Sequence, residues 1–295
     1  MPVPTAPPTG ICWGSTELKI GCNLLLWTSR LTPEHLPVLK LLKSLGYDGV
    51  EVPVFFGTPA DRIETGRMVA GEGLACAMVA TLKPGSDPLS DDTTLRLAGA
   101  EHHKWLVDCA NALNADVICG PFHQPLAQFS GQGITPREWD RLVDSQRAMA
   151  EYAGTIRLAI EPLNRFECYA LNTAAQAARL TNEVNRPNYG YLHDTFHANI
   201  EEKDPIAALT ATLPAITHFH VSENDRGTPG QGHAAILPAL KALKAANFPH
   251  WISVEAFGQA LPDIAAATKI WRPLFQSETQ LVTDAIALIR QGWTQ

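Results

Sequence analysis

Four residues set the chemical question: Glu161 in LAIEP, Asp194 in YLHDTFH, His220 in HFHVSEND and Glu255 in SVEAF. Each closes a short apolar run, and the intervals between them are 33, 26 and 35 residues, close to one strand-plus-helix unit apiece. Parallel neighbouring strands of that length bring three carboxylates and one imidazole to a single point. Like charges that close are costly to bury without a cation. Mostly oxygen donors with one nitrogen suit Mn²⁺, Co²⁺ or Mg²⁺ better than an ion that seeks thiolates. Taken singly, each acid also reads as a salt-bridged or solvated carboxylate. Recurrence at unit spacing is what favours the metal.

Further polar residues follow these four within a few positions. Glu167 comes six residues after Glu161, His197 three after Asp194 and Arg226 six after His220, each in a segment that follows a strand. Such positions are placed to touch a polar substrate. For Arg226, inside SENDRGTPGQG, satisfying local backbone groups is the competing reading. Trp27 at the end of the first strand offers an apolar wall to a sugar or packs in the core, and His123 after the fourth strand lines the pocket or packs. His218 lies two residues before His220 and shares its strand face. The one nearer the mouth is the ligand, and the other supports it or sits in the core. His193 points away from Asp194 and reads as structural, and His102 and His103 are expected on a helix surface.

The elements that must position these groups are legible as alternation. Eight apolar runs cover 18–27, 47–55, 74–81, 115–122, 156–164, 188–196, 216–222 and 250–257. They lack strict polar alternation, as parallel strands buried on both faces do. Between them, helices are predicted over 33–45, 92–114, 136–153, 173–184, 234–246 and 277–292, and more weakly over 58–71. Thr32-Pro33 and Thr135-Pro136 supply start signals and Gly46 a stop, while Pro37 is expected to distort the first turn of its helix. Eight such units predict an α/β fold, a single-domain (β/α)8 TIM barrel over residues 18–295, preceded by a proline-rich flexible lead-in at 1–17. An open doubly wound sheet is the alternative, but no G-x-G-x-x-G or G-x-x-x-x-G-K-[ST] occurs. In a barrel all eight C-terminal strand ends meet at one mouth.

Composition narrows the function classes. A net charge of −7 argues against a non-specific nucleic-acid binder and gives no pull toward an acidic membrane. No stretch approaches the apolar length of a membrane span, and the first residues do not resemble a signal peptide. Six scattered cysteines without a C-x-x-C pair read as reduced thiols in a cytoplasmic protein.

The segments EPLNRFECYALNT, LHDTFHANIEE, HFHVSENDRGTPGQG and SVEAF, with ADVICGPFHQPLAQFSG on the fourth strand, resemble the sugar phosphate isomerase/epimerase superfamily of xylose isomerase-like barrels. Within it the chain is most similar to the ketose 3-epimerases of the D-tagatose/D-psicose (D-allulose) family, over roughly residues 18 to 290. That resemblance implies the metal set Glu161, Asp194, His220 and Glu255, a divalent cation with Mn²⁺ foremost, and a free ketose as substrate. It further implies that Glu167, His197 and Arg226 hold the O1 and O2 end of the sugar, and that the protein is a dimeric or tetrameric homo-oligomer. The loops TLKPGSDPLSDD and QPLAQFSGQG are where sugar preference is set.

The expected reaction removes the proton at C3, next to the carbonyl, and returns one on the other face through a metal-stabilised cis-enediolate. Glu161 and Glu255 are the natural pair for general base and general acid. Competing readings use the same barrel: an aldose–ketose or hydroxypyruvate-type isomerase, an inosose-dehydratase-like lyase, an abasic-site nuclease, or a sugar-binding barrel without catalysis. The nuclease needs a basic groove and more histidine ligands, and a binder needs no paired carboxylates.

Overall fold

All eight apolar runs form strands, and they close on themselves. The computed structural model describes residues 18–294, so the 1–17 lead-in lies outside the described residues. The strands are β1 (Lys19–Asn23), β2 (Gly49–Pro53), β3 (Ala75–Val79), β4 (Val117–Gly120), β5 (Arg157–Ile160), β6 (Tyr189–Asp194), β7 (Ile216–Val221) and β8 (Trp251–Val254). Each pairs in parallel with the next, and β8 closes onto β1 with Ile20 opposite Ile252. The helices are α1 (Leu36–Leu45), α2 (Pro59–Gly71), α3 (Thr93–Leu113), α4 (Pro136–Ala153), α5 (Ala174–Val184), α6 (Thr195–Glu201), α7 (Pro205–Thr212), α8 (Ile236–Ala245), α9 (Pro262–Thr268) and α10 (Glu278–Thr294). The fold is a (β/α)8 barrel.

Local chemistry explains most helix boundaries. Thr58, Thr135 and Thr173 each accept a backbone N–H at the start of α2, α4 and α5, while an acid or glutamine three residues on answers the cap's own N–H. Gly46, Asn114 and Asn185 end α1, α3 and α5 in left-handed conformations. The segment after Thr32 opens with a 3-10 turn at Pro33–His35, and the α-helix starts only at Leu36. Pro37 therefore falls in the first helical turn, where its missing N–H has no intrahelical partner to lose. It shifts the start of the helix rather than kinking it. Short helices α6, α7 and α9 were not expected, because seven or eight residues carry too little periodicity to register.

Two concentric layers share the apolar residues. The outward strand faces, among them Val50, Val52, Ile118, Leu158, Ile160, Phe219 and Ile252, pack with the helices into the larger core. Inward, Ala77, Val79, Val117, Cys119, Ala159, Leu192 and Trp251 form a smaller cluster. Trp251 fills the lower barrel and donates its indole N–H to Asp116 at 3.0 Å. It fits because two facing strand positions lack side chains. A Cβ on Gly49 would stand 2.4 Å from the indole, and one on Gly21 3.0 Å.

Two sequence expectations are corrected here. His102 and His103 are not on the surface but buried on the inner side of α3. His103 Nε2 donates to the carbonyl of Phe122 at 2.8 Å, and His102 Nε2 lies 3.0 Å from that of Thr81. Loop carbonyls satisfy these rings, a pairing that sequence periodicity does not reveal. Trp27 does not end the first strand either, since a 3-10 turn at Leu24–Leu26 intervenes. Its half-buried ring packs against the larger core.

Candidate metal centre

Glu161 follows the last residue of β5, Asp194 ends β6, His220 sits in β7 and Glu255 follows β8. All four are buried, and one ligand atom from each lies within 4.8 Å of the others. Four consecutive strand ends at the mouth impose this convergence. Asn23, the last residue of β1, joins them by donating its amide to Glu255 Oε1 at 3.1 Å. The same amide accepts the Leu25 N–H through Oδ1 at 2.9 Å, which fixes its orientation.

Arg226 enters the cluster from the loop after β7. Its Nη1 donates to Asp194 Oδ2 at 2.8 Å, Glu255 Oε2 at 2.7 Å and Ser222 Oγ at 3.0 Å. The guanidinium lies 3.7 Å above the Phe196 ring and 5.1 Å from that of Phe257, a cation–π sandwich that leaves its edge for polar partners. The loop holds this pose through Glu223, whose buried carboxylate accepts the backbone N–H groups of Asn224, Gly230 and Ala234. Arg226 itself has φ +67°, a left-handed conformation held for an arginine only by such local constraint.

His197, on α6, turns Nε2 toward the cluster: 3.0 Å from Arg226 Nη2, 3.6 Å from Glu161 Oε1 and 3.7 Å from Asp194 Oδ2. Its Nδ1 accepts the Asn164 backbone N–H at 3.0 Å, and the Asn164 amide donates to Glu167 Oε1 at 2.7 Å. Glu167 and His197 are thus tied through Asn164, and Glu167 stands one residue back from the three acids and the imidazole. His123 is fully buried beyond β4, and neither ring nitrogen has a partner. No hydrogen bond or ion pair among the described residues links His123 or Trp27 to the cluster.

The electrostatics show a surplus of negative charge. Burial first, and then the neighbouring Glu255, push the Glu161 carboxyl well above its ordinary range. Burial likewise lifts Asp194 to about 6, against the pull of Arg226. Glu255 goes the other way: burial opposes ionisation, but His220 and Arg226 outweigh it and lower the carboxyl. Were all three carboxylates ionised beside the one guanidinium, two negative charges would stay uncompensated, and one divalent cation would neutralise them. The donor set fits as well, because His220 Nδ1 is buried 3.4 Å from Glu255 Oε1 without a hydrogen bond of its own.

A second layer lies beneath. Glu51, midway along β2, accepts from His218 Nε2 at 2.6 Å and from His220 Nε2 at 3.0 Å, across the barrel interior. His218 therefore supports the site from below. His193 faces the helix layer instead, stacked on Phe219 with ring centroids 5.6 Å apart. Sequence reading missed Glu51, Asn23, Asn164 and Glu223. For Glu51 a signal existed: one acid in the otherwise apolar strand GVEVP.

Residues 39–278 match the model of the xylose isomerase-like TIM barrel family. A ketose 3-epimerase of Arthrobacter globiformis is 30% identical, over 94% of this chain and 97% of that one. A probable ketose 3-epimerase of Synechocystis sp. is 28% identical, over 95% of this chain and 98% of its own length. Among solved structures, a D-allulose 3-epimerase from Methylomonas sp. in complex with D-allulose superposes with a TM-score of 0.85 at 25% identity, covering 93% of this chain and 96% of that one.

Proposed function

The chain belongs to the ketose 3-epimerases of the xylose isomerase-like barrel family, and on that premise we propose that it interconverts C3 epimers of free ketoses with a divalent cation held by Glu161, Asp194, His220 and Glu255. The observation that carries this reading is the buried ring of three carboxylates and one imidazole, where burial and the neighbouring Glu255 push the Glu161 carboxyl up, a cost that a bound cation would relieve. The donor set favours Mn²⁺, with Co²⁺ and Mg²⁺ next. When bound, the cation supplies Lewis-acid polarisation of the ketose carbonyl and so lowers the cost of forming the enediolate.

The protein's own groups do the rest. Glu161 and Glu255 arrive from β5 and β8, so one removes the C3 proton and the other returns a proton to the opposite face. The reverse reaction exchanges their tasks. Asp194 and His220 act as ligands only. Arg226 and His197, with Glu167 behind them, hold the O1 and O2 end of the sugar; that both stand against the buried acids supports this reading. His123 adds buried ring nitrogens free to bond a hydroxyl, and Trp27 supplies an apolar wall. The five cysteines among the described residues are buried free thiols, which supports a reducing, cytoplasmic setting. No described helix is long and apolar enough to cross a membrane. By kinship the protein works as a homo-oligomer, a dimer or a tetramer.

The test is incubation of Mn²⁺-loaded protein with a panel of free ketoses and their phosphates, products being separated by chromatography. C3 epimers of the free sugars are the expected products. Aldoses, dehydrated products or an unchanged panel would overturn the reading.

A further inference from the structure

Glu51 lies on β2, far along the chain from the cluster, yet its carboxylate touches the one nitrogen ligand. Both of its oxygens lie near His220 Nε2, at 3.1 and 3.0 Å, and Oε1 also meets His218 Nε2 at 2.6 Å. Glu51, His218 and His220 are all completely buried. An ionised carboxylate only accepts hydrogen bonds. Each histidine Nε2 facing it must therefore carry a proton. For a neutral imidazole, that leaves the lone pair on Nδ1. On His220 this nitrogen is the one turned to Glu255 and lacking a hydrogen bond.

We infer that Glu51 is a positioning residue, which holds His220 in the Nε2–H tautomer and presents Nδ1 as the ligating atom. The inference rests on the metal reading above and adds the residue that makes His220 competent for it. Partners of this kind fix the ring and raise the basicity of the ligand, and removing one weakens metal binding by about 10–100-fold. Glutamine at this position is a discriminating replacement. Its amide has nearly the same size, but it can turn its NH₂ to His220 Nε2, which then accepts and leaves the proton on Nδ1. Glu51→Asp keeps an ionised acceptor on a shorter arm.

The experiment has two parts. Wild type, Glu51→Gln and Glu51→Asp are titrated with Mn²⁺ against a competing chelator, each first checked for a cooperative thermal transition in the metal-free form. Separately, ¹⁵N-histidine NMR of Zn²⁺-loaded wild type, Zn²⁺ being diamagnetic, locates the ring proton of His220. The expected results are one tight metal equivalent in wild type, a loss of about 10–100-fold in Glu51→Gln with partial recovery in Glu51→Asp, and a proton on Nε2 in the loaded protein. A Glu51→Gln affinity within twofold of wild type, a proton on Nδ1, or a second tight equivalent that makes Glu51 itself a ligand would overturn the inference. The NMR result decides it even where the variants do not fold. Failure of wild type to hold any metal would instead sink the proposed function, so the two failures are distinct.

Discussion

The two halves of the barrel meet at one site with different chemistry. Strands β5–β8 end in three acids and an imidazole whose nearest oxygen and nitrogen atoms lie within 4.8 Å of one another. The half built on β1–β4 contributes an amide at Asn23, a carboxylate below the mouth at Glu51 and imidazoles around β4. The same side chain behaves oppositely in the two settings. Burial alone would lower His220, but Glu51 and Glu255 outweigh it and raise the ring well above its ordinary value. Burial dominates beside β4, where His103 is held down to about 4 and His123 to about 3. One half therefore supplies the charged cluster, and the other supplies the groups that aim and support it: neutral ones at Asn23 and around β4, and the Glu51 carboxylate below His220.

The largest expected effect breaks the charged half. Glu255→Gln keeps the shape of the side chain but removes a proposed proton carrier. Turnover of the Mn²⁺-loaded variant should fall by about 10²–10⁴-fold, the usual worth of a general acid or base. Steady-state rates and bound-metal content are measured together. A variant with one equivalent of Mn²⁺ and wild-type turnover would move the proton work elsewhere.

A smaller effect tests the neutral half. Unfolded, His103 titrates near its ordinary value of 6.5, but in the folded protein near 4. Between those values the unfolded chain binds more protons, so the stability tied to this neutral ring is fully present above about pH 6.5 and drains away as the pH falls toward 4. Two to three pH units correspond to on the order of 3 kcal/mol. His103→Gln can still donate to the Phe122 carbonyl but gains no proton. Urea unfolding of the metal-free protein across that pH range should show a shallower loss of stability in the variant. Parallel curves for the two proteins would mean that His103 is not buried neutral.

The contrast also explains what the sequence made legible. Eight apolar runs and their helices announced the barrel, because every βα unit repeats the same burial pattern. The four clustered residues of β5–β8 stand out because each is an acid or imidazole at the end of an apolar run, one unit after the last. Glu51 had the chemistry but not the place: it sits mid-strand in GVEVP, and its partners His218 and His220 lie 167 and 169 residues away. Asn23 had the place but too common a side chain to notice in KIGCN. Glu223 belonged to the recognised SENDRG segment, yet its work of gathering three backbone N–H groups depends on a fold of the loop that spacing does not reveal. His102 and His103 show the converse, since polarity on a helix reads as exposure while both rings are buried.

Asn23 gives the finest cut between the halves, because it is the point where β1 touches a proposed proton carrier. Its amide is held by the Leu25 N–H and donates to Glu255 Oε1, so it stabilises that carboxylate in the ionised form and in one orientation. Alanine removes both functions and leaves all four proposed ligands in place. A hydrogen bond to a charged group contributes about 1.5–3 kcal/mol, and the lower bound corresponds to roughly tenfold in rate. Asn23→Ala should therefore lose about tenfold in kcat, with KM and Mn²⁺ affinity much less affected. A fall confined to KM would make Asn23 a sugar contact instead. An unchanged kcat would mean that β5–β8 orient Glu255 unaided.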